Sequence, residues 1–73
     1  MVVTFYRTTN DGQKRIGRVR YDKVAGLTYS NAGIRLADLL FENGKDTPEK
    51  IEAAMRRAPL RFDGAYLRAS FSE

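Results

Sequence analysis

The 73-residue sequence contains neither cysteine nor histidine. It can therefore form no disulfide bond and no thiolate or imidazole metal site, and it lacks the Ser-His and Cys-His pairs that activate many catalytic nucleophiles. Carboxylate, lysine, tyrosine and arginine side chains remain, but no pair of them has the spacing of a catalytic motif. We expect a protein that is not an enzyme, that uses no cofactor, and that lies in a reducing cytoplasm.

Long apolar runs are also missing, since none approaches the roughly 18 residues of a membrane-spanning helix. Residues 1–7 have neither a basic leader before an apolar stretch nor a small-residue cleavage site. The sequence thus predicts a soluble, cytoplasmic protein with no membrane partner. Its length supports one hydrophobic core, so residues 1–73 are expected to form a single domain.

The glycines and carboxylates match no ligand-binding motif. The six glycines never take the spacing of a dinucleotide- or phosphate-binding loop. Oxygen ligands cluster between Glu42 and Glu49, but not at the fixed alternate positions of an EF-hand. A helix end at Asn43-Gly44 and a helix start at Asp46-Thr47 explain this segment better. We predict no metal site.

A β-hairpin is predicted at the start of the chain. Residues 3–7 are rich in β-branched and aromatic side chains, and Asn10-Asp11-Gly12 follows as a tight turn. The return strand would run from about 14 to 21, and neither of its faces is cleanly apolar. Interior strands usually keep charge off one face, so we expect this strand at a sheet edge or against a partner. One face would carry Ile16, Arg18 and Arg20, and the other Arg15, Gly17, Val19 and Tyr21.

A third strand, two helices and a fourth strand are predicted to follow. The third strand covers about 24–29, and the first helix starts at Ser30 or Asn31 and runs to about residue 42. Thr47 and Pro48 start the second helix, which ends before Pro59. Residues 65–71 alternate as a strand. The apolar stripe of the second helix contains Ile51, Ala54, Met55 and Ala58.

These elements predict an α+β fold of order β-β-β-α-α-β. The sheet would be small and antiparallel, with three or four strands and both helices packed on one face. Alternation in the strands and the helical periodicity of apolar residues define the expected core. Its members are Val3, Phe5, Val19, Leu27, Ile34, Leu40, Phe41, Ile51, Met55, Leu67 and Phe71.

The first helix has a wider apolar surface than packing against the predicted sheet requires. At 100° per residue its apolar side chains cover roughly 220°, which is more than one sheet can bury. Either the rest of the fold takes most of them and leaves Leu39 at the rim, or Leu36 and Leu39 form an interface with another chain. We therefore expect a small interaction module that forms a homo-oligomer or binds a protein partner.

The alternative is nucleic-acid binding through a basic sheet surface. The net charge is +4, and basic ends flank an acidic middle segment. A helix-turn-helix reading is disfavoured, because Glu49 and Glu52 would stand beside phosphates. Arginines and tyrosines of the predicted strands instead supply charge for phosphates and rings for bases. The candidate surface consists of Arg15, Arg18, Arg20, Tyr21, Lys23, Tyr66 and Arg68, with Tyr29 close by.

Overall fold

The computed structural model describes all 73 residues and has the predicted element order. The four strands form one antiparallel sheet in the order β3-β2-β1-β4, and both helices pack on one of its faces. The predicted α+β fold is confirmed. The elements are β1 (Val2–Thr9), β2 (Gly12–Asp22), β3 (Gly26–Asn31), α1 (Gly33–Leu40), α2 (Pro48–Arg61) and β4 (Leu67–Ser72).

Strand β2 lies inside the sheet, hydrogen-bonded to β1 on one side and to β3 on the other. The predicted edge position of this strand is wrong. The prediction came from charged residues on both faces of β2, and a bulge in β2 brings these charges onto one face. Phe5 pairs with Gly17 and Tyr6 pairs with Arg15, which leaves Ile16 as the extra residue. Ile16 packs against the core, so the helix-covered face of β2 is apolar and its arginines lie on the other face.

Helix α1 starts directly on the bulged part of β2. The backbone N–H of Ala32 donates to the carbonyl of Ile16 at 3.0 Å, and Asn31 turns the chain with a φ of 53°. Asparagine tolerates this left-handed conformation better than most residues. The predicted N-cap at Ser30 or Asn31 is wrong, since both belong to β3 and Ala32 takes the cap position without a side-chain hydrogen bond.

Helix α2 begins as predicted, with Pro48 at its first position and the Thr47 hydroxyl accepting a hydrogen bond from the Lys50 N–H at 3.3 Å. It does not stop before Pro59 but continues to Arg61. The Phe62 ring, packed edge-on against Phe5 at 5.2 Å, fixes the last turn to the core. Neither helix is long and apolar enough to cross a membrane.

The core lies between the helices and one face of the sheet. Ile34 does not belong to it and is 63% exposed, because α1 turns Gly33, Ala37 and Leu40 towards the sheet instead. Leu27, Leu67 and Phe71 are only partly buried, because they lie on the edge strands β3 and β4. The buried core consists of Val3, Phe5, Val19, Tyr21, Ala37, Leu40, Phe41, Ile51, Met55 and Ala58.

Candidate nucleic-acid interface

The sheet face opposite the helices carries a group of arginine side chains. Paired residues of an antiparallel sheet point to the same side, and Val3 and Phe5 of β1 point towards the helices. Val2, Thr4 and Tyr6 alternate with Val3 and Phe5 along β1 and therefore lie on the other face, which we call the open face. Its side chains form three rows across the strands: Thr28, Arg20, Val2 and Ser72; Ser30, Arg18, Thr4 and Ser70; and Arg15, Tyr6 and Arg68.

These three rows contain four arginines and no carboxylate. Asp22 follows on the same side at the end of β2, where its carboxylate accepts hydrogen bonds from the N–H groups of the next turn. Arg15, Arg18 and Arg20 follow one another along β2 and form no ion pair within the chain. Arg68, on β4, contacts the Asp63 carboxylate at 3.0 Å, but both partners are more than half exposed. Exposed pairs of this kind contribute little and exchange readily. The arginines are therefore available to an external anion.

Arg18 occupies the middle of the open face and is partly buried. It lies beside Thr4, which is only 9% exposed, and its Nε atom is buried without a hydrogen-bond partner. Most buried donors in folded proteins are paired, and an unpaired one is destabilising by about 1–3 kcal/mol. The buried Nε of Arg18 is thus left without an acceptor within the chain.

A shallow depression of about 200 Å³ lies next to Arg18 on this face. Arg20, Thr28 and Ser30 line it, together with Arg18 and part of Tyr29. Two guanidinium groups and two hydroxyls offer several hydrogen-bond donors within a small volume. Planar guanidinium groups suit the geometry of phosphate oxygens. The depression has the chemistry of a site for one phosphate group.

Tyr6 is the aromatic side chain of the open face, and the sequence analysis missed it. It is partly buried, with Arg15 paired to it on β2 and Arg68 paired to it on β4. An aromatic ring between two cations can stack on a nucleic-acid base while the cations contact phosphates. The alternation of β1 contained the signal, because a buried Phe5 places Tyr6 on the other face.

The other predicted surface residues are distributed differently. Tyr21 is 8% exposed on the helix-covered side, so it is a core residue and cannot contact nucleic acid there. Lys23 is exposed in the turn between β2 and β3. Tyr66 is 78% exposed just before β4, where its carbonyl accepts a hydrogen bond from the Thr8 N–H at 3.0 Å. It therefore lies at the Tyr6 end of the sheet. Tyr29 is partly buried on the helix side.

The two leucines predicted as a partner interface are both on α1 but differ in exposure. Leu39 is 53% exposed, whereas Leu36 is partly buried against the core. The fold buries Ala37, Leu40 and Phe41 of the same segment. One flank of α1 thus remains apolar and in contact with solvent.

Several acidic residues form ion pairs or accept hydrogen bonds in turns. Glu42 pairs with Arg61, and Asp46 pairs with the Lys50 Nζ at 2.9 Å, a hydrogen bond that lowers the pKa of Asp46. The Asp22 carboxylate accepts hydrogen bonds from the backbone N–H groups of Ala25 and Val24, and these lower its pKa. No three carboxylates come together to hold a metal ion.

Comparison with known proteins gives no match: no family model fits the chain, and neither a curated protein nor a solved structure is similar to it.

Proposed function

We propose that this protein is a nucleic-acid-binding module whose open face contacts the sugar-phosphate backbone. The observation that carries this proposal is the alignment of four arginines on one sheet face, in three rows that contain no carboxylate. Neutralisation of phosphates by arginine and lysine supplies most of the affinity in sequence-independent binding. The overall charge of +4 acts in the same direction, because it attracts polyanions over longer distances.

The side chains of the open face support contact with the backbone rather than readout of bases. Arg18 and Arg20, with the hydroxyls of Thr28 and Ser30, would hold one phosphate in the depression they line. Arg15 would reach a neighbouring phosphate. Asparagine and glutamine, which read adenine edges, are absent from the three rows, and Gln13 lies beyond them, paired with Thr8 near the β1–β2 turn. We therefore expect binding with little dependence on sequence.

The experiment is a binding titration with fluorescein-labelled single-stranded and duplex oligonucleotides, followed by anisotropy at about 50 mM salt. Changing Arg18 and Arg20 together to Glu should weaken binding at least about tenfold, because two phosphate contacts are replaced by repulsion.

The matched control changes Arg35 and Lys45 together to Glu. This pair alters the net charge by the same amount, but Arg35 is on α1 and Lys45 lies between the helices, away from the open face. The control should bind nearly as well as the unmodified protein. Equal losses in both variants would mean that net charge alone drives binding, and the proposed face would be wrong.

A second candidate function is binding to a protein partner through the flank of α1. The exposed Leu39 and the partly buried Leu36 beside it favour this function. Light scattering of a Leu39→Lys variant tests it for self-association. A protein that is already monomeric at high concentration before the change would rule out an oligomer formed through this flank.

A further inference from the structure

The solvent side of α2 carries a second surface, distinct from the open face. Glu49, Ala53, Arg57 and Leu60 are spaced by four, four and three residues, which places them along one ridge of the helix. All four are exposed, and Leu60 is 87% exposed. Glu49 and Arg57 form no ion pair within the chain, although the neighbouring Lys50 does. We call these four residues the α2 ridge.

A groove of about 530 Å³ runs beside the α2 ridge, between α2 and the end of α1. Its apolar lining consists of Leu40, Ala53, Ala54 and Leu60. Asn43 and Lys50 lie at the end nearest the start of α2, and Arg57 and Arg61 line the part near the end of that helix. The volume of the groove lies in the range of clefts that bind drug-sized molecules, which is more than one apolar side chain fills. An apolar side chain that approached from outside could lie in it.

We propose that a second copy of this chain covers the α2 ridge, with the two α2 helices packed antiparallel about a two-fold axis at Ala53. In such a contact each residue meets its symmetry counterpart in reverse order. Glu49 of each protomer then faces Arg57 of the other, which gives two such pairs in the dimer. Leu60 of each protomer reaches the end of the other's groove near Asn43 and Lys50.

Charge complementarity is the reason for choosing a second copy as the occupant. The ridge carries an acid at one end, a base at the other and a small residue midway, so that it is complementary to itself in the antiparallel direction. A small Ala53 lets two helices approach closely where they cross.

The contact is small, so the dimer should be weak. A helix of 14 residues is about 21 Å long, and one helix pair buries less area than a standard stable interface. We expect dimers at about 1 mM protein and monomers at about 10 μM, which corresponds to a weak association. This inference does not depend on nucleic-acid binding, because α2 lies on the helix side of the sheet.

The test is the molar mass by light scattering or sedimentation over this concentration range. The monomer has a mass of 8.3 kDa, and the unmodified protein should approach twice that value at the upper end. Arg57→Glu and Glu49→Arg should each keep the protein monomeric, because like charges then meet at both ends of the contact. The double exchange, with both substitutions in one chain, should restore the dimer.

Circular dichroism of each variant shows whether α2 still forms, and the restored double variant shows that neither change acts by unfolding. Val24→Lys is the matched control, since Val24 is exposed in the turn between β2 and β3 and does not line the groove. It should dimerise like the unmodified protein. A protein that stays monomeric at about 1 mM overturns the proposal. So does a dimer that persists in Arg57→Glu, or one that Val24→Lys abolishes.

Discussion

Gly17 of β2 and Gly33 of α1 are in backbone contact, and a Cβ atom on Gly17 would overlap the backbone nitrogen of Gly33. The reverse substitution is blocked as well, because a Cβ on Gly33 would overlap the carbonyl of Arg18. This contact brings the start of α1 onto the bulge of β2. It thereby holds in place the strand that carries three of the four arginines of the open face.

Gly17→Ala should destabilise the fold by about 1–3 kcal/mol, because the obstacle is backbone that cannot rotate away. In a domain of this size that loss lowers the melting temperature by roughly 4–8 °C per kcal/mol. Gly64→Ala is the control, since the nearest atom to its added Cβ is 3.9 Å away. It should leave the melting temperature nearly unchanged. Similar melting temperatures for the two variants would show that the close contact does not form.

The Thr47 hydroxyl caps α2 through the Lys50 N–H. Thr47→Ala should lower the free energy of unfolding by about 1 kcal/mol, because that N–H then has no side-chain acceptor. Thr47→Ser keeps the hydroxyl and should recover most of the loss. Urea denaturation of the three proteins measures both changes. If serine were as destabilising as alanine, the cap would not be the cause.

Acidification should destabilise the protein partly through Asp22 and Asp46. Hydrogen bonds from Ala25 and Val24 lower the pKa of Asp22, and Lys50 lowers that of Asp46, both below the usual value of 3.8. Folding thus favours the ionised carboxylates. The stabilisation is complete above pH 3.8 and is lost as the pH falls through the lowered pKa values of the folded chain.

The measurement is the melting temperature of the unmodified protein and of the double variant Asp22→Asn with Asp46→Asn, between about pH 6 and pH 2. The curves should converge towards low pH, because the double variant has no charge to lose at these positions. Parallel curves over the whole range would show that the two carboxylates do not contribute.

Local chemistry made much of this fold predictable from the sequence. The turn at Asn10-Asp11-Gly12 and the start of α2 at Thr47 depend on neighbouring residues only, and both predictions are confirmed. The bulge at Ile16 was not predictable in this way. It depends on where α1 packs on β2, which is a contact between residues far apart in the chain.

The same bulge determined how well the candidate interface could be predicted. Without it, Arg15 is assigned to the same face as Val19 and Tyr21, and β2 looks charged on both sides. With the bulge, Arg15 lies on the same face as Arg18 and Arg20. The sequence predicts Tyr21 as a contact residue because its ring is suited to stacking, but the sequence alone does not reveal that the helices cover it.

A dimer formed through α2 would present two open faces that point away from each other, because the helices of both protomers lie between the sheets. Such a dimer should bridge two nucleic-acid molecules. At protein concentrations that favour the dimer, energy transfer between donor- and acceptor-labelled oligonucleotides should increase in the unmodified protein. In Arg57→Glu, binding should persist while the transfer is lost. Transfer that is undiminished in this variant would contradict bridging through α2.

The salt dependence of nucleic-acid binding tests the function of the open face most directly. Four arginines that each neutralise one phosphate predict that log K falls linearly with log salt concentration, with a slope of roughly −3 for single strands and up to about −3.6 for duplexes. Changing Arg18 and Arg20 to Glu should reduce the magnitude of the slope by about half. The Arg35 and Lys45 control should keep it. No binding at about 50 mM salt, or a slope that the Arg18 and Arg20 changes leave untouched, would contradict binding through this face.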